Sequence, residues 1–317
     1  MSKTISNKSQ DRKAFWKKLW FDYGGALYMI PVVVGILCFT IIPMLTSLNY
    51  AFHDYNPYAF DESEQLVNFG IQNFKTIFTK GAKNGTFETI MQSLYVTFRY
   101  AILNILLSLV TSYALALFLN QKTAGIKVFR VVYYLPCLIP GVAGTLLWKD
   151  ILAVRGGYMN MIFEAVGLAP YTFYEAKETV LTTLLFTGLF GTGGGCIMWL
   201  AQMKNVPAEM YESAELDGAN YFHKLVFVTI PMTTAMLFYY LVTSAIGGLQ
   251  AFGNVYPLRD VAGDEVNFIV VQIYENAYVN GRLSYACALS WFLFVIIGIL
   301  TAFVFKTSKW VYYGEDA

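Results

Sequence analysis

The sequence predicts an all-α integral membrane protein of about six transmembrane helices, and three observations lead there. Of the 317 residues, 56% are hydrophobic and only 14% are charged, whereas a soluble domain carries about 25% charged residues. The apolar residues gather into long runs, and a bilayer core of about 30 Å needs roughly 20 of them in a helix. Those runs are continuously apolar, without the alternation of a barrel strand.

The expected spans are 26–50, 93–119, 128–152, 180–203, 226–249 and 286–305. The first is longer than a signal-peptide core and lacks a small-x-small cleavage site, so it reads as a retained span. Before it, Phe15, Trp16, Lys17, Lys18 and Trp20 mix aromatic and basic residues. Such a mixture suits a short helix at the headgroup boundary. The third span contains Pro136 and Pro140, which cannot both continue helical hydrogen bonding. The fourth contains Gly188, Gly191, Gly193, Gly194 and Gly195. A glycine run serves either close helix packing or a cavity wall, and the sequence leaves both open.

Lys and Arg crowd the N-terminal tail, the short loops at 120–127 and 204–225, and the C-terminal tail. The other loops are longer and carry fewer. The positive-inside rule then puts both termini in the cytoplasm. The expected organisation is a cytoplasmic tail over 1–25 with its interfacial helix, a permease domain over 26–305, and a cytoplasmic tail over 306–317. Arg99 and Lys149 fall at the edges of spans, where they either snorkel to the interface or serve a solute path.

Several function classes lose support. No chain of buried Asp, Glu or His is available to relay protons, which weighs against a self-powered secondary transporter. Only His53 and His223 exist, both in loops, which weighs against a membrane enzyme. Cys38, Cys137, Cys196 and Cys287 lie in apolar runs without a CxxC pair, and read as packing residues rather than disulfides or metal ligands. No GxxxxGK[ST] loop is present to cradle ATP phosphates.

Between the fourth and fifth spans, residues 204–225 form an ordered polar stretch. Pro207 suits a helix start, acidic residues follow it, and Gly218 can end that helix. Glu212-Ser213-Ala214, Gly218 six residues after the Glu, nine more residues and then Val228-Thr229-Ile230-Pro231 resemble the EAA motif of binding-protein-dependent ABC permeases. Asp217-Gly218-Ala219, Leu135-Pro136 with Pro140, and Ala286 to Trp291 resemble the maltose and multiple-sugar branch. Ser213 stands where the motif has Ala, and is small enough to occupy the same space.

The resemblance implies the type I ABC importer arrangement, with a cytoplasmic coupling helix between the fourth and fifth spans. It implies a prokaryotic cell membrane, a sugar or oligosaccharide as substrate, and an extracytoplasmic binding protein that delivers it. The other partners it implies are a second homologous permease and two ATPase subunits or an ATPase homodimer. ATP and Mg would be bound by those partners, with no cofactor or metal on this chain. Glu212, Ser213, Ala214, Asp217, Gly218, Ala219 and Pro231 would couple to the ATPase, with Glu212 and Asp217 capping the helix. Alignment from the motif prolines puts Cys137, Gly141, Thr187, Gly191, Gly194, Ser244 and Gly248 on the substrate path. Tyr239, Tyr240 and Trp199 are candidates to stack on a sugar ring. The alternative within transport is an importer of another solute, such as glycerol phosphate or a polyamine.

Overall fold

The computed structural model describes residues 28–55, 66–79, 87–121 and 123–311. The expected interfacial helix around Phe15 to Trp20 and the end of the C-terminal tail lie outside them. The chain forms two compact units, residues 1–73 and 74–317.

The first unit holds α1 (Tyr28–Ala51) and a two-residue antiparallel ribbon, β1 (Asp54–Tyr55) with β2 (Leu66–Val67). Inside α1 the hydrogen bonding widens to a π turn at Leu37–Ile41, just ahead of Pro43. A proline cannot donate to the preceding turn, and an extra residue in the ladder accommodates that loss. A short helix, α2 (Gln72–Phe78), straddles the boundary between the units.

The second unit is built on α3 (Phe87–Leu119), a 33-residue helix that runs unbroken. Its buried residues include Ser93, Thr97, Ala101, Ser108, Ser112 and Ala116. These small side chains form a stripe that lets neighbouring backbones approach closely. The opposite face exposes Leu103, Leu106, Leu107 and Val110. An exposed leucine and valine face of this kind is stable against lipid or another apolar surface, not against water.

Three bent helix pairs surround α3. The first is α4 (Ile126–Leu138, its last turn 3₁₀) with α5 (Gly141–Ile151), meeting at 98°. Pro140 holds Ile139 extended, at φ −77° and ψ 125°, as expected for a residue before proline. After the short α6 (Tyr158–Ala165) come α7 (Lys177–Leu189) and α8 (Gly193–Asn205), bent by 46°. Then follow α9 (Ala208–Leu216), α10 (Tyr221–Met232) and α11 (Thr234–Leu249), the last two meeting at 64°. The chain closes with α12 (Ile269–Tyr274) and α13 (Leu283–Lys306). Among the described residues, α1, α3 and α13 are each long and apolar enough to cross a membrane, and each bent pair passes the same test together.

At each break a side chain adds a hydrogen bond to a nearby carbonyl. At the first, the Cys137 thiol donates to the Tyr134 carbonyl at 3.0 Å. At the second, Thr192 Oγ1 donates to the Leu189 carbonyl at 2.7 Å. At the third, Thr233 Oγ1 donates to the Thr229 carbonyl at 2.9 Å, and Thr234 Oγ1 to the Pro231 carbonyl at 2.8 Å. An unpaired carbonyl in hydrocarbon costs several kcal/mol, about the scale at which such repair decides whether a helix can break.

The glycine run divides by role. A Cβ on Gly195 would lie 2.8 Å from the Tyr240 ring and 3.4 Å from Ser112 Cβ, and one on Gly193 would lie 3.0 Å from the Tyr133 carbonyl. Both are packing glycines. A Cβ on Gly248 would lie 3.1 Å from Ala101 Cβ and 3.2 Å from its Cα, so Gly248 sets the approach of α11 to α3. Gly247, next to it, has open space. Gly248→Val should therefore destabilise by about 1–3 kcal/mol, as overpacking does, while Gly247→Val should cost much less. Folded yield and thermal midpoint of the two variants, measured side by side, check this; equal effects would contradict it.

Candidate functional site

A cavity of about 580 Å³ lies among α3, α5, α7, α8 and α11. Each wall follows helical spacing. From α3 come Tyr100, Asn104 and Ser108; from α5, Gly141, Thr145 and Trp148; from α7, Leu184, Thr187 and Gly188; from α11, Tyr240, Ser244 and Gly248. The steps of three, four and seven residues are those of one helix face. Phe190, Gly191 and Thr192, at the α7–α8 break, complete one side, and Asn254 caps another. The lining is aromatic and amide or hydroxyl in character, with no charged side chain among the described lining residues.

Of the path residues expected from sequence, Gly141, Thr187, Gly191, Ser244 and Gly248 line this cavity. Cys137 and Gly194 do not. The Cys137 thiol is turned back to its own helix at the Pro136 break. Gly194 is exposed, and a side chain there would meet nothing within 4 Å. Of the three stacking candidates, only Tyr240 reaches the wall. Trp199 is fully buried between Tyr113 and Tyr240, with ring centroids at 4.9 and 5.7 Å. Tyr239 is half exposed on the far face of α11. Trp148, Tyr100, Asn104 and Asn254 were not expected. Trp148 sits seven residues past Gly141, so carrying the helical period forward from that glycine finds it.

The connection from α11 to α12 covers one end of the cavity. A Cβ on Gly253 would touch Val142 of α5, and Asn254 Nδ2 donates to the Tyr100 hydroxyl at 2.8 Å. Further along, the Lys149 ammonium donates to both oxygens of Asp260, at 2.6 and 2.8 Å. Lys149 thus ties α5 to this connection. Arg259 adds a link, donating to Glu275 at 2.9 Å and Asp264 at 3.3 Å. At the start of α12, the buried Thr97 Oγ1 accepts from the Ile269 N–H at 3.0 Å, a cap supplied by α3.

The opposite end of the bundle carries α9, none of whose residues is buried. Its C-terminus is a Schellman motif: the Gly218 N–H bonds to the Glu215 carbonyl and the Ala219 N–H to the Ala214 carbonyl. Gly218 sits at φ +77°, the left-handed conformation this motif requires. The backbone closes this end. The Glu212 and Asp217 side chains make no hydrogen bond or ion pair among the described residues, and the Asp217 N–H bonds to the Ser213 carbonyl, so backbone bonds rather than the expected side-chain capping hold α9. Glu215 does more, pairing with Lys224 of α10 at 2.6 Å, and the Tyr211 hydroxyl meets Thr229 Oγ1 at 3.1 Å. Both contacts cross the turn, so helical periodicity gives no signal for them. Leu216 is 90% exposed, an apolar side chain with nothing of this chain upon it. After α9, a π turn at Leu225–Thr229 precedes Pro231, as one precedes Pro43.

Apolar helices broken around an internal cavity, with an exposed helix on one end, define a multi-pass membrane permease. No family model matches the chain. It is 31% identical over 298 residues to the probable ABC transporter permease protein YesP of Bacillus subtilis, covering 92% of this chain and 93% of that one. The arabinooligosaccharides transport system permease protein AraP of the same organism is 24% identical, over 95% and 94% of the two chains. The trehalose/maltose transport system permease protein MalF of Thermococcus litoralis is 21% identical, over 90% and 93%. In fold, the chain is similar to a permease chain in the crystal structure of a bacterial ABC transporter that imports alginate, with a TM-score of 0.78 over 93% of this chain and 98% of that one, at 21% identity. The chain belongs to the ABC transporter permeases.

The pair at Lys149 gives a pH expectation. Hydrogen bonding to the Lys149 ammonium holds the Asp260 carboxyl below its ordinary value. A carboxyl lowered on folding contributes stability above its unfolded value, about 3.9, and loses it as pH falls through the lower folded value. Asp260→Asn should therefore lower the thermal midpoint slightly, as for a largely exposed pair, and equally at pH 5 and pH 7. The gap should close only below about pH 4; closure between pH 7 and pH 5 would contradict it.

Proposed function

We propose that this chain is one permease subunit of an ATP-driven importer that takes up a sugar or oligosaccharide delivered by an extracytoplasmic binding protein. The observation that carries the reading is the pairing of an uncharged, aromatic and amide-lined cavity with an exposed helix at the other end of the same bundle. A cavity of that chemistry suits a hydroxyl-rich neutral solute, since a few placed polar groups on an apolar wall fix orientation and specificity. The sugar transport systems named for its relatives support the same solute class. A phosphate-bearing or cationic solute would ask for paired charges instead, and none lines the cavity among the described residues.

In this reading α9 is the coupling helix. Glu212, Ser213, Ala214, Asp217, Gly218 and Ala219 meet an ATPase subunit, and Pro231 fixes the bend by which α10 returns to the membrane. The chain pairs with a second homologous permease and with two ATPase subunits or an ATPase homodimer. ATP and Mg belong to those subunits, and this chain acts as a transport component without catalytic residues. Closure of the ATPase pair pushes on α9, and the ion pair from Glu215 to Lys224 passes that displacement to α10 and α11. The α9 end faces the cytoplasm with both termini, and the connection from α11 to α12 faces outward toward the binding protein. Gly141, Thr187, Gly191, Ser244 and Gly248 lie along the substrate path.

Two experiments test this. In vesicles carrying the full complex, Gly218→Asp should insert normally yet hydrolyse ATP without uptake, because a side chain in the left-handed region costs about 1–3 kcal/mol and reshapes the end of α9. Normal uptake by that variant would sink the coupling assignment. For orientation, a cysteine at Asp264 should label from outside intact cells and one at Asn205 should not. Labelling of the Asn205 position from outside would reverse the topology.

A further inference from the structure

The aromatic expected to stack on a sugar is absent from the positions where alignment looks for it, since Gly141 and Gly191 carry no side chain and Trp199 is buried away from the cavity. The cavity nonetheless has an aromatic wall. Trp148 of α5 is half-buried on the lining, its ring tilted 48° against Phe190 with centroids 4.9 Å apart. Phe190 is 41% exposed and sits at the break between α7 and α8. Two residues earlier, Gly188 leaves room for Asn104 of α3, whose Oδ1 lies 3.5 Å from where a Cβ on Gly188 would be. Trp148 and Asn104 thus approach the same short segment of α7, one as a flat apolar face and the other as a carboxamide.

Asn104 is the second, independent observation. It lies in the middle of the longest apolar helix of the unit, and it has no hydrogen-bond partner among the described residues. A carboxamide in an apolar span is costly unless something satisfies it. Two threonines on this wall are committed: Thr187 to the Thr183 carbonyl and Tyr174, and Thr145 to the Gly141 carbonyl. Asn104, by contrast, lines the cavity with its carboxamide unpaired among the described residues, and Asn254 keeps a free carbonyl oxygen after donating to Tyr100. Resting on the sugar-uptake reading above, we propose that Trp148 and Asn104 form a pyranose subsite. The ring's C–H face stacks on the indole, whose π face is negative, while Asn104 donates to one ring hydroxyl and accepts from another.

The test uses the complete complex with its binding protein, in vesicles, and tritiated lactose, maltose, galactotriose and arabinotriose as probes. For whichever probe the wild type takes up, Trp148→Ala and Trp148→Leu should each raise the apparent KM at least tenfold, while Trp148→Phe stays within about threefold. If Trp148 only fills space beside Phe190, Leu will serve as well as Phe, and that result overturns the proposal. Asn104→Leu should also cut uptake at low sugar tenfold or more, yet leave the thermal midpoint of the purified complex unchanged or higher, because an unsatisfied polar group has been removed. A lower midpoint would make Asn104 a structural residue and overturn its part. Variants that match wild-type uptake of a transported probe defeat the subsite alone; a wild type that takes up none of the four defeats the sugar reading and the subsite with it.

Discussion

Everything in this chain answers to one constraint: inside hydrocarbon, each backbone N–H and C=O must find its partner within the protein. An unbroken helix such as α3 meets that demand by itself. A broken one does not, and the three breaks are where side chains intervene. Cys137, Thr192, Thr233 and Thr234 each donate to a carbonyl three or four residues back, beside a break.

The breaks have geometric consequences. The 98° turn after Pro140 swings α5 across the bundle and carries Gly141, Thr145 and Trp148 onto one wall. The 46° bend at Phe190 to Thr192 opens the facing wall. Between them α3 stays straight, and its stripe of small residues lets α8 and α11 come close through Gly195 and Gly248. A cavity results because two helices turn away from a third that does not bend. Two apolar clusters brace it, one around Tyr100, Tyr174 and Phe268 and the other around Trp199, Ala116 and Met203.

The two ends of the bundle are held differently. At the end with the connection from α11 to α12, ion pairs from Lys149 and Arg259 tie helices to a loop, and these are partly exposed contacts that can open at modest cost. At the α9 end, a Schellman motif and the similarly exposed Glu215 to Lys224 pair hold a short helix with an exposed apolar tip at Leu216.

How much of this was legible in the sequence can be argued residue by residue. Apolar run length by itself determined that the chain is helical and membrane-spanning, because hydrocarbon thickness sets the length that a helix needs. Pro136 and Pro140 determined where the third span breaks, since a missing N–H is a local fact. Pro207 and Gly218 bracketed α9, because helix starts and left-handed stops are local as well. What the tertiary structure decided depends on rotation about helix axes. A sequence does not say toward which neighbour a glycine points, so Gly193 went to packing, Gly195 and Gly248 to packing at the edge of the cavity, Gly191 to the cavity wall and Gly194 to neither. For the same reason Cys137 turned inward to its own backbone while Trp148, seven residues beyond Gly141, came round onto the wall. The partner of Lys149 was out of reach too, because Asp260 lies 111 residues away and only folding brings the two together.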